Sequence, residues 1–281
     1  MRAIEHMFSC HYIAMYVEFL EHSEGSLMQF IVRNEIAVFF VVTLALSATI
    51  SAVSFVKDNE GLSLLTVLSP TIAALFLTAV TSGWQGVKDL TVGHILKRFA
   101  WRWLLLSLLF FPVATMVLQA AFLGTPFQLQ HTDLMPYVIV IFIISIGEEF
   151  GWRAYAMPPL LDRFSVLASG AIVGVVWAIW HFPGALIGAG VPENIPFMLF
   201  ALWVVGAGIL MGWVYAKTRS VIPAIVIHSS ANASFIYSPL LPDGTASIWP
   251  FGALVGIVWA AVCILIWVAK IGFGPESNRV E

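Results

Sequence analysis

The chain has 281 residues, 60% of them hydrophobic and only 10% charged, with a mean hydropathy of +0.92 and a formal net charge of −3. So large an apolar share exceeds that of a soluble domain, and no long basic run exists to engage nucleic acid. Two cysteines, Cys10 and Cys263, are too few and too separated in depth for a disulfide framework or a redox pair.

Residues 1–34 mix His6, His11, Glu18, Glu21 and Glu24 with apolar residues, and lack the basic start and small-residue cleavage site of a signal peptide. This stretch is expected to be an interfacial or loosely ordered extension, with Met28 an equally acceptable start. A helix needs about 20 mostly apolar residues to cross the hydrocarbon layer. Eight segments meet that need, near 36–56, 62–83, 101–123, 136–157, 166–182, 195–216, 221–238 and 248–269. Their long Leu-, Ala- and Phe-rich runs lack the alternation of a membrane barrel. The expected fold is therefore all-α, a polytopic membrane bundle of about eight helices over residues 35–270, with a tail at 271–281.

Lys and Arg collect in short cytoplasmic loops. With eight spans and cytoplasmic N- and C-termini, that side receives Arg2, Arg33, Lys88, Lys97, Arg98, Arg102, Arg153, Arg163, Lys217, Arg219, Lys270 and Arg279, and the other side only Lys57. Twelve against one supports both the helix count and the orientation. The expected setting is a prokaryotic plasma membrane.

Between the second and third spans, "GWQGVKDLTVGHILKRFAWRW" alternates Val87, Leu90, Ile95 and Phe99 with Lys88, Lys97, Arg98 and Arg102, the pattern of a helix lying along the inner leaflet. Gly170 with Gly174, and Gly208 with Gly212, have the spacing that lets membrane helices approach closely. Pro158 and Pro159 should break or redirect the fourth span. No internal repeat of the kind that builds inverted-repeat transporters is evident.

The fourth span contains "FIISIGEEFGWRAY", residues 142–155. An ionised residue at the bilayer centre costs about 2.5–3.5 kcal/mol on the insertion scale, so three together need compensation or use. Glu149 and Arg153 are four apart and share a helix face, which lets them pair. Glu148 points about 100° away and is left without a counter-ion. Two further spans break the apolar pattern: the fifth at "VVWAIWHFPG", with Trp177, His181 and then Pro183, and the seventh at "IVIHSSANASF", with His228 and Asn232 on one face. Each polar group alone reads most simply as a structural hydrogen-bonder. A free Glu, two His and an Asn on three helices together exceed what packing requires.

A carboxylate acting with an imidazole can deprotonate water, while a second imidazole and a carboxamide stabilise the oxyanion formed when that water attacks an amide. Ser229 and Ser230 adjoin His228 in sequence, but neighbours on a helix diverge, which disfavours a serine nucleophile. Two His and a Glu are also a zinc set, so any metal would fall to Glu148, His181 and His228, although the HExxH spacing is missing. Intramembrane Glu and His equally serve proton relays, leaving a proton- or ion-coupled carrier or an immunity scaffold as the non-enzymatic alternative.

Depth raises one conflict. His181 lies about 22 Å from the inner end of its span and His228 about 10 Å from the inner end of its own, at 1.5 Å per residue. Either the fifth span starts after Val166 or the fourth runs past Arg153 toward Leu161.

Glu148 to Arg153 matches an E-E-x-x-x-R motif, Trp177 to His181 an F-x-x-x-H motif with Trp for Phe, and His228 to Asn232 an H-x-x-x-N motif. In this order the three resemble the CPBP family of intramembrane endopeptidases, which includes the eukaryotic CAAX-processing endopeptidase and the bacterial Abi proteins; the likeness covers roughly residues 84–238. The resemblance implies that Glu148 and His181 activate the hydrolytic water, that His228 and Asn232 stabilise the oxyanion, and that Glu149 and Arg153 support them, with Trp177 an aromatic wall. It further implies a peptide or membrane-protein substrate met in the lipid bilayer, with no nucleic acid involved. No cofactor is required on this reading, with zinc as the alternative.

Overall fold

The computed structural model describes residues 28–124, 134–192, 194–238 and 247–272. Among them nine α-helices follow in order: α1 (Glu35–Val56), α2 (Ser69–Lys88), α3 (Trp101–Leu123), α4 (Leu134–Glu149), α5 (Met157–Arg163), α6 (Val166–Ala185), α7 (Phe197–Thr218), α8 (Val221–Tyr237) and α9 (Trp249–Val268). A 3₁₀ segment, Glu60–Leu68, leads into α2, and π-helical turns occupy Asp89–Gly93 and Phe150–Ala156. The described residues contain no strand. Most of the expected extension, residues 1–27, and the tail from 273 lie outside the described residues; residues 28–33 are helical.

Among the described residues, six helices are long and apolar enough to cross a membrane: α1, the stretch Gly61–Gly93 that contains α2, α3, α6, α7 and α9. The two remaining expected spans are helical as well. They are α4, 16 residues before its π turn, and α8, 17 residues long. These two are the helices that carry Glu148, Glu149, His228 and Asn232, so polar function and shortened apolar length coincide. The protein is an integral, multi-pass membrane protein.

The prolines do not break the fourth span. Pro158 and Pro159 fall in the first turn of α5, where a missing N–H costs no intrahelical bond, and the wider π turn before them carries the chain through to Arg163. This brings Glu148 level with His181, while His228 stays nearer the inner end of its own helix: α6 does start at Val166, and the preceding helix runs on past Arg153. Fifteen residues separate Glu148 from Arg163 and fifteen separate Val166 from His181, so the two groups stand about equally far, roughly 22 Å, from the connecting turn. Ser165 caps α6 by accepting from the Ala168 N–H at 3.2 Å. A second correction concerns Arg153, which is fully buried in the bundle and contributes nothing to the basic surface. The charge asymmetry becomes eleven against one.

The α6–α7 interface has the closeness that its glycine spacing suggests. A Cβ on Gly170 would stand 2.8 Å from the Ile209 Cα, and one on Gly174 only 2.9 Å from the Val205 Cα. On the other side of the site, Gly147 and Gly151 bring α4 and its π turn against the Val67 and Pro70 backbone. Helix α8 packs among α3, α4 and α7, while α1 lies along α2 and α6.

Gly83, at φ 63° and ψ −162°, breaks α2 where the amphipathic stretch begins. The segment after it exposes Trp84 and Leu96, with Lys88 Nζ 5.8 Å from the Trp84 ring centroid. His94 anchors it: Nε2 is 3.0 Å from the Tyr215 hydroxyl, and its carbonyl accepts from Ser220 Oγ at 3.0 Å.

Candidate active site

Three helices and one π turn place the polar groups. Glu148 and Glu149 end α4, Arg153 lies in the π turn, Trp177 and His181 are one turn apart near the end of α6, and His228 and Asn232 are one turn apart on α8. Arg153 Nη1 donates to Glu149 Oε1 at 2.8 Å, the pairing expected from their spacing. The same oxygen lies 2.8 Å from His228 Nδ1. One buried carboxylate thus holds a guanidinium from its own helix and an imidazole from α8. With Nδ1–H given to Glu149, Nε2 is the His228 nitrogen left to other partners.

Glu148 is not without a partner, as the helical wheel suggested. The indole Nε1–H of Trp177 donates to its Oε2 at 2.6 Å. Trp177 is more than an aromatic wall, since its ring also lies under the Arg153 guanidinium, 4.8 Å from ring centroid to Cζ, and meets the His228 ring edge-on at 5.2 Å. His181 Nδ1 lies 2.9 Å from the Trp177 carbonyl, which can only accept. Its Nδ1 therefore carries the hydrogen, and Nε2 presents a lone pair.

Glu148, Trp177, His181, His228 and Asn232 all line one cavity of about 440 Å³. Its remaining wall is mostly apolar and aromatic, including Trp180, Phe200, Trp203 and Phe235. Glu149 and Arg153 lie behind this wall and are fully buried. The arrangement is elongated along α7: Arg153 Nη2 reaches Met211 Sδ at 3.4 Å, while the His181 ring packs edge-on against Phe200 at 5.0 Å. Those contacts are eleven residues apart on α7, about 16 Å of rise. Trp177 spans the interval. It is how His181, high on α6, and His228, low on α8, share one cavity.

The serines beside His228 are engaged elsewhere. Ser229 Oγ donates to Ser145 Oγ at 2.9 Å, and Ser230 Oγ to the Ser107 carbonyl at 2.8 Å, joining α8 to α4 and α3. Among the described residues Asn232 makes no protein hydrogen bond, and no set of three or more His, Cys, Asp or Glu side chains is gathered in a way that would hold a metal ion.

Sequence reasoning missed the Glu149–His228 link, the Trp177–Glu148 bond and the aromatic lining from Trp180, Phe200, Trp203 and Phe235. The available signals were the replacement of Phe by Trp at 177, which adds a donor, and the density of aromatics near the two motifs that contain His.

Residues 130–234, which contain all three motifs, match the family described as Type II CAAX prenyl endopeptidase Rce1-like. The chain is also similar to CAAX prenyl protease 2 of Methanococcus maripaludis, with 26% identity over 215 residues, covering 69% of this chain and 79% of that protein. These matches fall on motifs whose side chains converge on one cavity, and it is to Rce1-like CAAX prenyl endopeptidases that the chain is similar.

Proposed function

We propose that this protease hydrolyses a peptide bond within the membrane by water activated between Glu148 and His181, with no protein nucleophile and no required cofactor. Glu148 takes one proton from the water while the other O–H, which stays on the oxygen, donates a hydrogen bond to His181 Nε2, and the resulting hydroxide oxygen attacks the carbonyl carbon of the scissile amide. The oxyanion is met by the Asn232 carboxamide N–H and by His228 Nε2–H. His228 acts through Nε2 because its Nδ1 is held by the Glu149 carboxylate. As the tetrahedral intermediate collapses, the proton held by Glu148 passes to the leaving nitrogen, and the C–N bond breaks to give an acid and an amine. Glu149 and Arg153 position the machinery and take no proton.

One observation carries this reading: four polar side chains from three helices line a single, otherwise mostly apolar cavity. The substrate is a peptide attached to or embedded in the bilayer, in keeping with the prenyl protease name of the relative. Glu148→Gln keeps the shape of the side chain and an acceptor for Trp177 Nε1–H. It should lower cleavage of a lipid-anchored peptide by about 10²–10⁴-fold, the contribution of a positioned general base, while leaving the thermal unfolding profile in detergent unchanged. Full activity in a folded Glu148→Gln protein rejects the assignment.

A further inference from the structure

A second hollow lies on the outside of the bundle, between α3 and α9, and shares no lining residue with the active-site cavity. Helix α3 packs mainly against α8 and only lightly against α9, which leaves a groove of about 600 Å³ between the two. Two rows of α3 side chains, each at every fourth residue, line it. One row is headed by Arg102 and ends at the buried Ala114; the other runs from Leu105 to Val117, both exposed. Ile257 of α9 lines the facing side.

Arg102 is the one charged residue among the described residues of this lining. It is exposed in the first turn of α3, beside the exposed Trp101, and Trp and Arg together mark a membrane interface. Neither α3 nor α7, α8 and α9, which pack against it, carries an Asp or Glu. Among the described residues no ion pair or hydrogen bond engages the Arg102 guanidinium. Lys97 and Arg98, both exposed just before α3, add to the positive charge at this end.

A cation without a protein counter-ion, set at the head of an apolar groove, complements the two parts of an anionic phospholipid. The row from Leu105 to Val117 rises about 18 Å, and one leaflet of hydrocarbon is about 15 Å deep, half of the roughly 30 Å core. An acyl chain descending from a phosphate at Arg102 is therefore matched along its length. A helix from another chain would cover the apolar rows and still leave Arg102 without a counter-ion.

We propose that the α3–α9 groove is a binding site for an anionic phospholipid, with the phosphate held by Arg102 and one acyl chain lying between the two helices. This site is independent of the endopeptidase reading.

The test uses the full chain, delipidated in detergent, to which phosphatidylglycerol, phosphatidylcholine with the same acyl chains, or inorganic phosphate is added. Native mass spectrometry reads binding, and thermal unfolding reads stability. Phosphatidylglycerol should stay bound and raise the unfolding temperature, and the other two should do neither. Arg102→Gln should weaken phosphatidylglycerol binding about fivefold, the loss of one cation at a charged surface. Val113→Trp should abolish binding by filling the groove, while Val41→Trp, at an exposed position on α1, should leave it unchanged. In the unsubstituted protein, phosphatidylglycerol with a diazirine on its acyl chain should label peptides containing Leu109 or Ile257 above those of other exposed helix faces. Equal stabilisation by phosphatidylcholine or inorganic phosphate, unweakened binding to Arg102→Gln, or labelling spread evenly over α1, α3, α6 and α9 overturns the proposal. So does a dimer that dissociates on Val113→Trp, which assigns the groove to a second copy of the chain.

Discussion

Gly174→Ala tests whether the α6–α7 contact sets the geometry of the site. The added methyl would stand 2.9 Å from the Val205 Cα and 3.0 Å from the Val205 carbonyl oxygen, where ordinary contacts lie at 3.4–4 Å. Backbone cannot rotate aside as a side chain would, so the helices must separate by roughly 0.5–1 Å, in an interior packed like an organic crystal. Overpacking of this kind costs about 1–3 kcal/mol. The same displacement carries His181, seven residues further along α6, away from Glu148 on α4, and a misplacement of about 1 Å costs on the order of 10²-fold in rate. The matched control is Gly252→Ala on α9, where an added Cβ meets nothing within 4 Å. There the better helix former should add about 0.5–1 kcal/mol of stability and leave catalysis alone. Thermal unfolding in detergent, followed by tryptophan fluorescence, and kcat/KM on a lipid-anchored peptide measure both effects. A Gly174→Ala protein that matched Gly252→Ala in stability and rate would refute the claim that this contact positions His181.

Three other perturbations separate the roles of the buried groups. Arg153→Met leaves the fully buried Glu149 carboxylate with only the His228 imidazole and should cost about 3–5 kcal/mol, whereas Glu149→Gln with Arg153→Met removes both charges and should recover most of that loss; equal stability of the single and double variants by denaturant unfolding would contradict a carboxylate that depends on Arg153. Burial holds His94 below its ordinary value near 6.5, so the folded protein binds this proton less readily than the unfolded chain does. Its stabilising contribution is complete above about pH 6.5 and declines as pH falls through the lower folded value, so melting temperature should drop between about pH 7 and 5 more steeply for the native protein than for His94→Gln. Because the proposed reaction uses no metal, dialysis against EDTA or phenanthroline should leave cleavage unchanged; activity lost on chelation and restored by zinc would replace the Glu148 base with a metal-bound water.

What could be read from the chain was whatever depends on local spacing. Eight apolar runs of membrane length became eight helical segments because lipid allows no other way to pair the backbone. Glu149 and Arg153 pair because four residues on a helix bring side chains together, and Gly170, Gly174, Gly208 and Gly212 mark where two helices touch. The features that escaped depend on tertiary placement. Glu149 and His228 are 79 residues apart and meet because α4 and α8 pack. Arg153 looked like a surface charge next to a cytoplasmic turn, but the π turn runs on through Pro158 and Pro159 to Arg163 and keeps it inside the bundle. A π turn is a change of hydrogen-bond register, and no residue pattern in this stretch announced it.

Adjacent glutamates do different work here because a helix turns about 100° between them. Glu149 faces Arg153 and His228 and is sealed from the cavity, so its charge fixes the orientation of an imidazole without meeting substrate. Glu148 faces the cavity, and its buried neighbour is the indole of Trp177. That indole donates to one carboxylate oxygen, and a carboxylate offers about four acceptor positions, so capacity to accept a proton from water is left over. The Trp177 ring meanwhile lies against Arg153 and both imidazoles. A phenylalanine at this position would keep the stacking and lose the donor. The tryptophan thus adds a restraint on the Glu148 rotamer to a site that the helices already assemble.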